Sequence, residues 1–485
     1  MTRRPITRLE LAGYLLSPSL FVMVVLMVVE AMLAAATTWL VINAGRRVAV
    51  GEFLVTDLVW ILTAQSTSYV VGVISWIFAE RAGYRGFGKF MLRFARENRD
   101  KVTLLSEKPA REQVEPFLTG ETFQCFFNVM YELEFALKLF LGLVFNALVL
   151  GAEIDPSLPF AYVGAFGTLL LMQWGLQKPI ASAYLENQRM NNRITAQGYT
   201  AWDNVFAGNS YNLRLWLFGF KTKLREGLVA QIRAIVAREG MSAMSGIVSL
   251  AIVFATITMV ALRHVGDTVL LVGLATTLPR QIEMTYELHL LASGWNDFIA
   301  IWTRFGGVAA NMSPQPDPDF DKRIKYDRLV LREGDHANVV SSLGDALRVA
   351  LAQPTGRINV RGGNGTGKSS LLASLKTELK KRAYYWPTTD RLAFHFAGGV
   401  VPVDVEEDEE GEPIVVAETM DKKLGFSSGE RQLKSLEEIV NATDAQVYLL
   451  DEWDANLDAA NKAKADALVD ELAARARVVE ISHRD

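Results

Sequence analysis

The sequence predicts an α-helical membrane domain followed by a smaller soluble α/β domain, and three observations support this fold class. Long apolar runs fall only in the first part of the 485-residue chain. A proline-rich segment begins near residue 313, and short β-branched strands alternate with helical stretches from about residue 324. Because the chain is too long for one ordinary core, we expect domains at 1–312 and 324–485, joined by a linker at 313–323.

Composition agrees with a chain that is part membrane-embedded and part soluble. Half of the residues are hydrophobic, 21% are charged and the mean hydropathy is +0.16. The net charge of -4 gives no general attraction to nucleic acid, so we expect no nucleic-acid partner. Cys125 is the sole cysteine, which excludes an intrachain disulfide and a cysteine-based zinc cluster.

Six apolar runs are predicted to form transmembrane helices, because about 20 apolar residues suffice to cross the hydrocarbon core. The N-terminal segment carries Arg3, Arg4 and Arg8 but no apolar stretch that ends in a small-residue cleavage site. We therefore expect the first run to remain as a membrane anchor in the lipid bilayer. The runs lie near residues 12–44, 54–79, 129–150, 160–174, 247–262 and 269–291.

Basic residues predict the orientation of these helices. Lys and Arg are dense between the second and third runs, at 81–101, and between the fourth and fifth, at 177–238. Such clusters favour the cytoplasmic side, and they outweigh Arg46 and Arg47, which fall on the opposite side. An even number of spans then places the C-terminal domain in the cytoplasm, with the helices in the inner (plasma) membrane.

A glycine-rich segment between a strand and a helix predicts a phosphate-binding loop. The strand at 358–360 leads into Gly362-Gly-Asn-Gly-Thr-Gly-Lys-Ser369, the full phosphate-loop pattern. Its backbone amides can converge on phosphates, Lys368 can reach the outer phosphates and Ser369 can ligate magnesium. We expect ATP and Mg2+ as cofactors, bound by Gly362, Gly363, Asn364, Gly365, Thr366, Gly367, Lys368, Ser369 and Ser370.

Two carboxylates follow the apolar strand at 447–450. Asp451 is predicted to hold the magnesium ion through water, and Glu452 to polarise the attacking water. Phosphoryl transfer needs a positioned nucleophile and charge stabilisation more than covalent chemistry, and these two residues can supply both. The alternative is a strand that happens to stop at an acidic turn.

Further motifs carry a resemblance to a known family. Phe426-Ser-Ser-Gly-Glu-Arg-Gln432 resembles the signature motif of ABC transporters, Asn456-Leu-Asp458 is similar to the family's D-loop, and His483 matches its switch histidine. These motifs stand in the family's order. The six runs and two long loops before them resemble the transmembrane domain of exporters. The resemblance thus implies an exporter-type half-transporter, with a six-helix transmembrane domain followed by an α/β P-loop ATPase domain.

The resemblance also implies a head-to-tail dimer with a second copy of the chain. Ser427, Ser428 and Gly429 of one copy would face the γ-phosphate that Lys368 of the other copy holds. Glu452 would be the catalytic base, and His483 would contact the γ-phosphate. Asp458 would link the two sites across the interface.

The sequence departs from the family pattern at two points. Thr388 stands where the family's Q-loop has a glutamine, and its hydroxyl is predicted to approach magnesium or water. An adenine-stacking residue is not obvious, and His336 and Tyr326 are alternatives for that role. The stretch between the phosphate loop and the signature is short, so we expect a compact, reduced ATPase domain in which the acidic run 404–412 is a solvated loop.

Ionisable residues inside the apolar runs bear on the cargo, because such residues tend to face a bundle interior or a wet cavity. Glu30 lies in the first run, and Arg280, Glu283 and Glu287 share one helical face of the last. That face is predicted either to contact a polar or cationic cargo or to close the bundle through an Arg280–Glu283 ion pair.

Taken together, these features predict ATP-driven export of a small peptide or a peptide-like, amphipathic compound by a homodimer. A lipid flippase, a peptide importer and a membrane-bound regulatory ATPase that translocates nothing are the alternatives. Segments near 109–117 and 204–212 are expected to dock on the ATPase domains.

Overall fold

The computed structural model describes residues 6–52, 55–388, 392–397, 401–407, 413–418, 427–455 and 457–482. Within it, the chain divides into two compact units. The helical unit comprises Met1–Met91 and Thr119–Ala310, and the mixed unit comprises Leu92–Leu118 and Asn311–Asp485. The segment 92–118, which includes the predicted docking residues 109–117, therefore groups with the C-terminal part of the chain, whereas residues 204–212 belong to the helical unit.

Helices make up most of the described chain up to residue 311. The helix that begins at Pro18 starts with ordinary capping chemistry, since Ser17 accepts a hydrogen bond of 3.4 Å from the backbone of Leu20 and Pro18 occupies the first turn. The helices are α1 (Arg8–Ala12), α2 (Pro18–Ala49), α3 (Val55–Asn98), α4 (Lys108–Pro116), α5 (Thr122–Glu153), α6 (Ser157–Tyr199), α7 (Ala201–Phe206), α8 (Ser210–Arg263) and α9 (Thr268–Asn311).

In the part of the chain that the structure describes, 4 helical segments are long and apolar enough to cross a membrane. They are Pro18–Ala49, Val55–Asn98, Thr122–Glu153 and Ala243–Arg263, which correspond to the first, second, third and fifth predicted runs. These segments indicate that the protein associates with a membrane. The predicted fourth and sixth runs lie in α6 and α9, and their assignment as spans stays a prediction.

The helical unit is held together by an apolar core and by a few buried polar contacts. Thr38 of α2 donates a buried hydrogen bond of 2.5 Å to the side-chain oxygen of Asn146 in α5. Such contacts join helices where apolar surface alone does not specify a partner. The apolar core is formed chiefly by Ile42, Leu143, Leu150, Leu158, Leu169, Val253, Val260, Met284 and Leu288.

A six-stranded sheet forms the centre of the mixed unit, in the order β2-β1-β3-β8-β7-β4. Strands β3, β8, β7 and β4 are parallel, and β1 and β2 join one edge antiparallel. The strands that the sequence predicts at 358–360, 447–450 and 478–481 are confirmed as β3, β7 and β8. The strands are β1 (Val330–Glu333), β2 (His336–Val339), β3 (Gly356–Arg361), β4 (Ala383–Trp386), β5 (Val401–Glu407), β6 (Pro413–Glu418), β7 (Val447–Asp451) and β8 (Arg477–Ile481).

Helices cover both faces of this sheet, which explains why its central strands read as continuous apolar runs. Leu449 packs on the face covered by α10 and α11, and Leu450 on the face covered by α12 and α13. Both leucines are fully buried. The helices are α10 (Leu343–Ala350), α11 (Lys368–Leu379), α12 (Ser428–Ala442) and α13 (Ala459–Arg475).

The predicted solvated loop at 404–412 is wrong for its first residues. Residues 404–407 belong to β5, which pairs with β6 as a separate antiparallel ribbon, while 408–412 lie outside the described residues. Val401, Val403 and Val405 alternate with other residues, and this period of two favours a strand despite the acidic side chains that follow.

Side chains of segment 92–118 bind the proline-rich linker at 313–323. Lys101 donates hydrogen bonds of 2.7 Å to the hydroxyl of Ser313 and 2.7 Å to the carbonyl of Pro314. The buried carboxylate of Glu107 accepts from the backbone amide of Asp317 through both oxygens, at 3.1 and 3.2 Å. The linker is thus a packed part of the mixed unit.

We predict that Arg477→Ala lowers the free energy of unfolding of the mixed unit by about 3 kcal/mol, because it removes one partner of a buried ion pair. The guanidinium of Arg477 is 1% exposed and contacts both carboxylate oxygens of Glu333, at 2.5 and 2.7 Å, which ties β8 to the antiparallel strand β1. The urea dependence of protease cleavage in the full-length protein measures the change. Arg348→Ala, at a side chain that is 81% exposed, is the control, and equal stability of the two variants would contradict the prediction.

Candidate functional site

The glycine loop, Gly362–Gly367, connects β3 to α11, so the predicted strand–loop–helix context is present. Gly365 and Gly367 have φ angles of 73° and 89°, in the left-handed region that glycine adopts without strain. A Cβ atom on Gly367 would also lie 2.5 Å from the carbonyl oxygen of Arg323. Both geometry and packing therefore require glycine at the last position of the loop.

Lys368 is the first residue of α11, and its side chain turns back over the glycine loop. The Nζ atom donates a hydrogen bond of 2.8 Å to the carbonyl of Gly362. Gly367 caps the helix without a side-chain hydrogen bond to the helix amides. The helix N-terminus therefore brings backbone amides, a favourable dipole and a primary amine to one place, the combination that binds phosphate.

A buried carboxylate lies beside the start of this helix. Asp451 ends β7 and is 6% exposed, and its Oδ1 accepts a hydrogen bond of 3.0 Å from the hydroxyl of Ser369. Burial, together with the smaller effect of the neighbouring charge of Glu452, raises the pKa of Asp451 to about 6. Hydrogen bonds from Ser369, Thr388 and Tyr385 oppose the rise, because they favour the ionised form.

Glu452 occupies a strained turn. Its φ angle is 51°, which places a residue other than glycine in the left-handed region. The backbone amide of Glu452 donates to the carbonyl of Ile481 at 3.0 Å, and its carbonyl accepts from the amide of Ala455 at 3.2 Å. Hydrogen bonds therefore hold the backbone of Glu452 in place. This residue carries the carboxylate that the sequence predicts as catalytic base.

A chain of hydrogen bonds anchors the next residue, Trp453, which is 1% exposed. Its indole Nε1 donates to the buried carboxylate of Glu480 at 2.8 Å, and Arg357 binds both oxygens of that carboxylate at 2.9 Å. On the other side, Gln432 of α12 donates to the carbonyl of Trp453 at 2.6 Å and to that of Glu452 at 3.4 Å.

Sequence reasoning did not predict the contacts among Trp453, Glu480, Arg357 and Gln432, although Gln432 belongs to the motif that resembles the ABC signature. A carboxylate inside the apolar run Val478-Val-Glu-Ile481 was the available signal, because a buried charge requires a partner. Arg357 is 123 residues away in the chain, so the pairing could not be read from sequence spacing.

Two residues of the motifs that resemble those of ABC transporters are N-caps of helices in the structure. Ser427 is the N-cap of α12 in a reciprocal capping box with Glu430, and Ser428 and Gly429 lie in the first turn. Asp458 is the N-cap of α13 and accepts from the amide of Asn461 at 2.7 Å. These contacts lie within one copy of the chain, and the roles across a dimer stay predictions.

The remaining predicted residues are spread over the mixed unit. The hydroxyl of Thr388 donates to the backbone carbonyl of Asp451 at 3.2 Å, so it lies next to the carboxylate strand. His336 begins β2 at the antiparallel edge of the sheet and is exposed, while Tyr326 is partly buried against the core. His483 and Asn456 lie outside the described residues.

A cavity of about 530 Å³ adjoins the carboxylates. It brings Thr388, Asp451 and Glu452 together with Ser428 at the start of α12, and its volume lies in the range of small-molecule sites. Aromatic walls and the polar side of α12 complete the lining, with Trp386, Phe394, Phe396, Arg431 and Gln432.

Ser369 and Asp451 fit a magnesium ion that is shared with a phosphate. No group of three His, Cys, Asp or Glu residues that could hold a metal occurs among the residues described by the structure. Magnesium in phosphate sites does not need one, because it is held by one or two protein oxygens together with phosphate oxygens and water. The oxygens of Ser369 and Asp451, 3.0 Å apart, form such a pair, and ATP would contribute the phosphates.

Comparison with known proteins identifies no relative: no family model matches the chain, and no curated protein is significantly similar to it.

In the absence of magnesium and nucleotide, ionisation of Asp451 is expected to lower the stability of the fold as the pH rises. We predict that Asp451→Asn abolishes this loss. The pKa of Asp451 is raised in the folded protein, so its ionisation opposes folding and stability falls as the pH rises from about 4 to about 6. The loss amounts to about 3 kcal/mol at most, and the asparagine variant should lack it. Protease cleavage in urea at pH 4.5 and pH 7 measures it. Exposed Asp444→Asn should retain the wild-type slope, and an identical slope in Asp451→Asn would overturn the assignment.

Proposed function

We propose that the protein is an ATP-driven membrane transporter of the ABC exporter type, a half-transporter with six transmembrane helices and a P-loop ATPase domain. One observation carries the proposal. The glycine loop places Lys368 at a helix N-terminus, where Ser369 is hydrogen-bonded to the buried Asp451, and Glu452 follows directly. A structural turn has no need for a buried carboxylate beside a helix N-terminus.

Each residue of this arrangement has a role in binding. The amides of the glycine loop and the amine of Lys368 hold the phosphates, and Ser369 and Asp451 hold the magnesium ion. ATP supplies the γ-phosphoryl group when bound, and Mg2+ neutralises charge on its oxygens. The proton of Asp451 must leave before the metal binds, which its raised pKa permits above about pH 6.

Glu452 is the residue that positions the attacking water. Its carboxylate follows the strand end at Asp451, and hydrogen bonds through Ile481 and Gln432 fix the backbone that carries it. A general base must hold the nucleophile in line rather than supply covalent chemistry, so this rigidity is useful to the reaction.

Dimerisation completes the proposed site. Ser427, Ser428 and Gly429 begin α12, and a helix N-terminus favours an anion. In a head-to-tail pair of chains this terminus would face the γ-phosphate held by the other copy, so that ATP binding closes the pair and hydrolysis reopens it. The cargo would be a small peptide or peptide-like compound, and the basic loops support an ATPase domain on the cytoplasmic side of the inner membrane.

One observation favours a second function, that of a membrane-bound regulatory ATPase without cargo. Thr388 replaces the family's glutamine, and its hydroxyl bonds to the backbone of Asp451. That short side chain cannot extend as far as a carboxamide. ATP-dependent cargo uptake into inside-out vesicles separates the two functions.

We predict that Glu452→Gln lowers the rate of ATP hydrolysis about 100-fold or more and leaves nucleotide binding intact, because it removes the base and keeps the shape. Lys368→Ala should instead weaken ATP binding. Phosphate release and equilibrium binding of a fluorescent ATP analogue measure these effects in lipid nanodiscs. Wild-type hydrolysis in the Glu452→Gln variant would rule out the proposed mechanism.

We also predict that Trp453→Phe lowers kcat about 10-fold at unchanged ATP affinity, which corresponds to about 1.4 kcal/mol of lost positioning. The phenyl ring keeps most of the packing but loses the hydrogen bond to Glu480. Trp202→Phe, at an exposed position of the helical unit, is the matched control. A parallel loss of kcat and ATP affinity would indicate general damage rather than positioning.

A further inference from the structure

The helical unit carries charged side chains in the middle of its apolar helices. Glu30 lies 12 residues into α2, about 18 Å from its start, and Lys138 lies 16 residues into α5, about 24 Å from its start. Charges at such positions are costly in a membrane and mark functional sites. We define the charge cluster as Glu30, Glu134, Lys138, Arg280, Glu283 and Glu287.

Glu30 is only half satisfied. Its Oε1 lies 2.5 Å from Nζ of Lys138, whereas its Oε2 is buried without a hydrogen-bond partner in the described structure. Gly72 of α3 packs directly against this carboxylate, since a Cβ atom there would lie 2.8 Å from Oε1. The fold therefore accommodates the carboxylate of Glu30, one oxygen of which has no hydrogen-bond partner in the described structure.

Glu134 adds a second carboxylate one helical turn before Lys138. It is 7% exposed and makes no hydrogen bond within the described residues. Its charge interacts with both Lys138 and Glu30, so it points into the same cluster. One ammonium group thus faces two buried carboxylates.

Arg280 does not neutralise the additional negative charge of Glu30 and Glu134. Its Nη1 lies 2.7 Å from Glu283 and 3.0 Å from Glu287, so the predicted ion pair is present and includes a second carboxylate. Lys138 also interacts electrostatically with Glu287. With four carboxylates against two cations, the charge cluster carries two negative charges more than it can pair when all its members are ionised.

The surroundings indicate what kind of cation would restore the balance. A cavity of about 170 Å³ opens between α3 and α5, lined by Trp76, Glu80 and Tyr131. Trp76 is one turn from Gly72 on α3, and Tyr131 is one turn from Glu134 on α5. Aromatic faces and a carboxylate suit an organic cation, whereas a hard metal ion needs a shell of oxygens.

We propose that the charge cluster binds an alkylammonium or guanidinium group of the cargo, with Glu134 and the free oxygen of Glu30 as its acceptors. The cation enters along the seam between α3 and α5 through the aromatic cavity. This inference rests on the proposed transport function and narrows it to cationic peptides or peptide-like compounds.

The test is equilibrium binding of tri-lysine to the full-length protein in lipid nanodiscs without nucleotide, with tri-citrulline as the neutral probe. We expect Glu134→Gln, which keeps size and polarity, to weaken tri-lysine binding at least 10-fold and to leave tri-citrulline binding unchanged. Glu52→Gln, at an exposed residue, should bind both probes as the wild type does. Trp76→Leu should weaken tri-lysine binding by a smaller factor, because it removes the aromatic face.

Equal affinity of the wild type and Glu134→Gln for tri-lysine would overturn the proposal. A second result would also overturn it, namely that the cluster only takes up a proton. In that case Glu134→Gln would abolish a proton release seen in the wild type, while the affinity for tri-lysine would stay the same. Because nucleotide is absent, the result is independent of ATP hydrolysis. If the wild-type protein hydrolysed ATP but bound tri-lysine no more tightly than tri-citrulline, the cationic cargo would be refuted and the transporter proposal would stand.

Discussion

The buried carboxylate of Glu480 is the contact on which the geometry of the candidate site depends. It lies in β8, accepts from the indole of Trp453 and is paired by Arg357, which belongs to the strand that leads into the glycine loop. A charge so deeply buried is tolerated only when it is paired and hydrogen-bonded. The requirement therefore ties β3, β8 and the turn after β7 to one another, so that the glycine-loop side and the carboxylate side of the candidate site are held together along one edge.

This edge also supports the unfavourable backbone at Glu452. A left-handed residue other than glycine costs about 1 kcal/mol or more, and it persists only where its neighbours over-determine it. The carbonyl of Ile481 on one side and the side-chain amide of Gln432 on the other supply that constraint through hydrogen bonds to the backbone of Glu452. Strain of this kind directs a side chain without adding bulk around it, which suits the role proposed above for the Glu452 carboxylate.

The parts of the fold that local patterns encode could be predicted from the sequence, and those that depend on distant contacts could not. The glycine loop and the strand before Asp451 have signatures within ten residues, and the structure has them where expected. The pairing of Glu480 with Arg357 joins residues far apart in the chain. The acidic residues after Val403 were misjudged because charge suggested a loop while the alternation of valines favoured a strand.

The discontinuity of the mixed unit has a consequence for how the protein is made. Residues 92–118 leave the ribosome about 200 residues before the linker that Lys101 and Glu107 hold, yet both belong to one compact unit. Their partners in the linker do not exist while the helices between the two segments are being synthesised. Segment 92–118 therefore cannot complete its contacts until the linker at 313–323 has been synthesised, so the mixed unit assembles only after the intervening helices have been made.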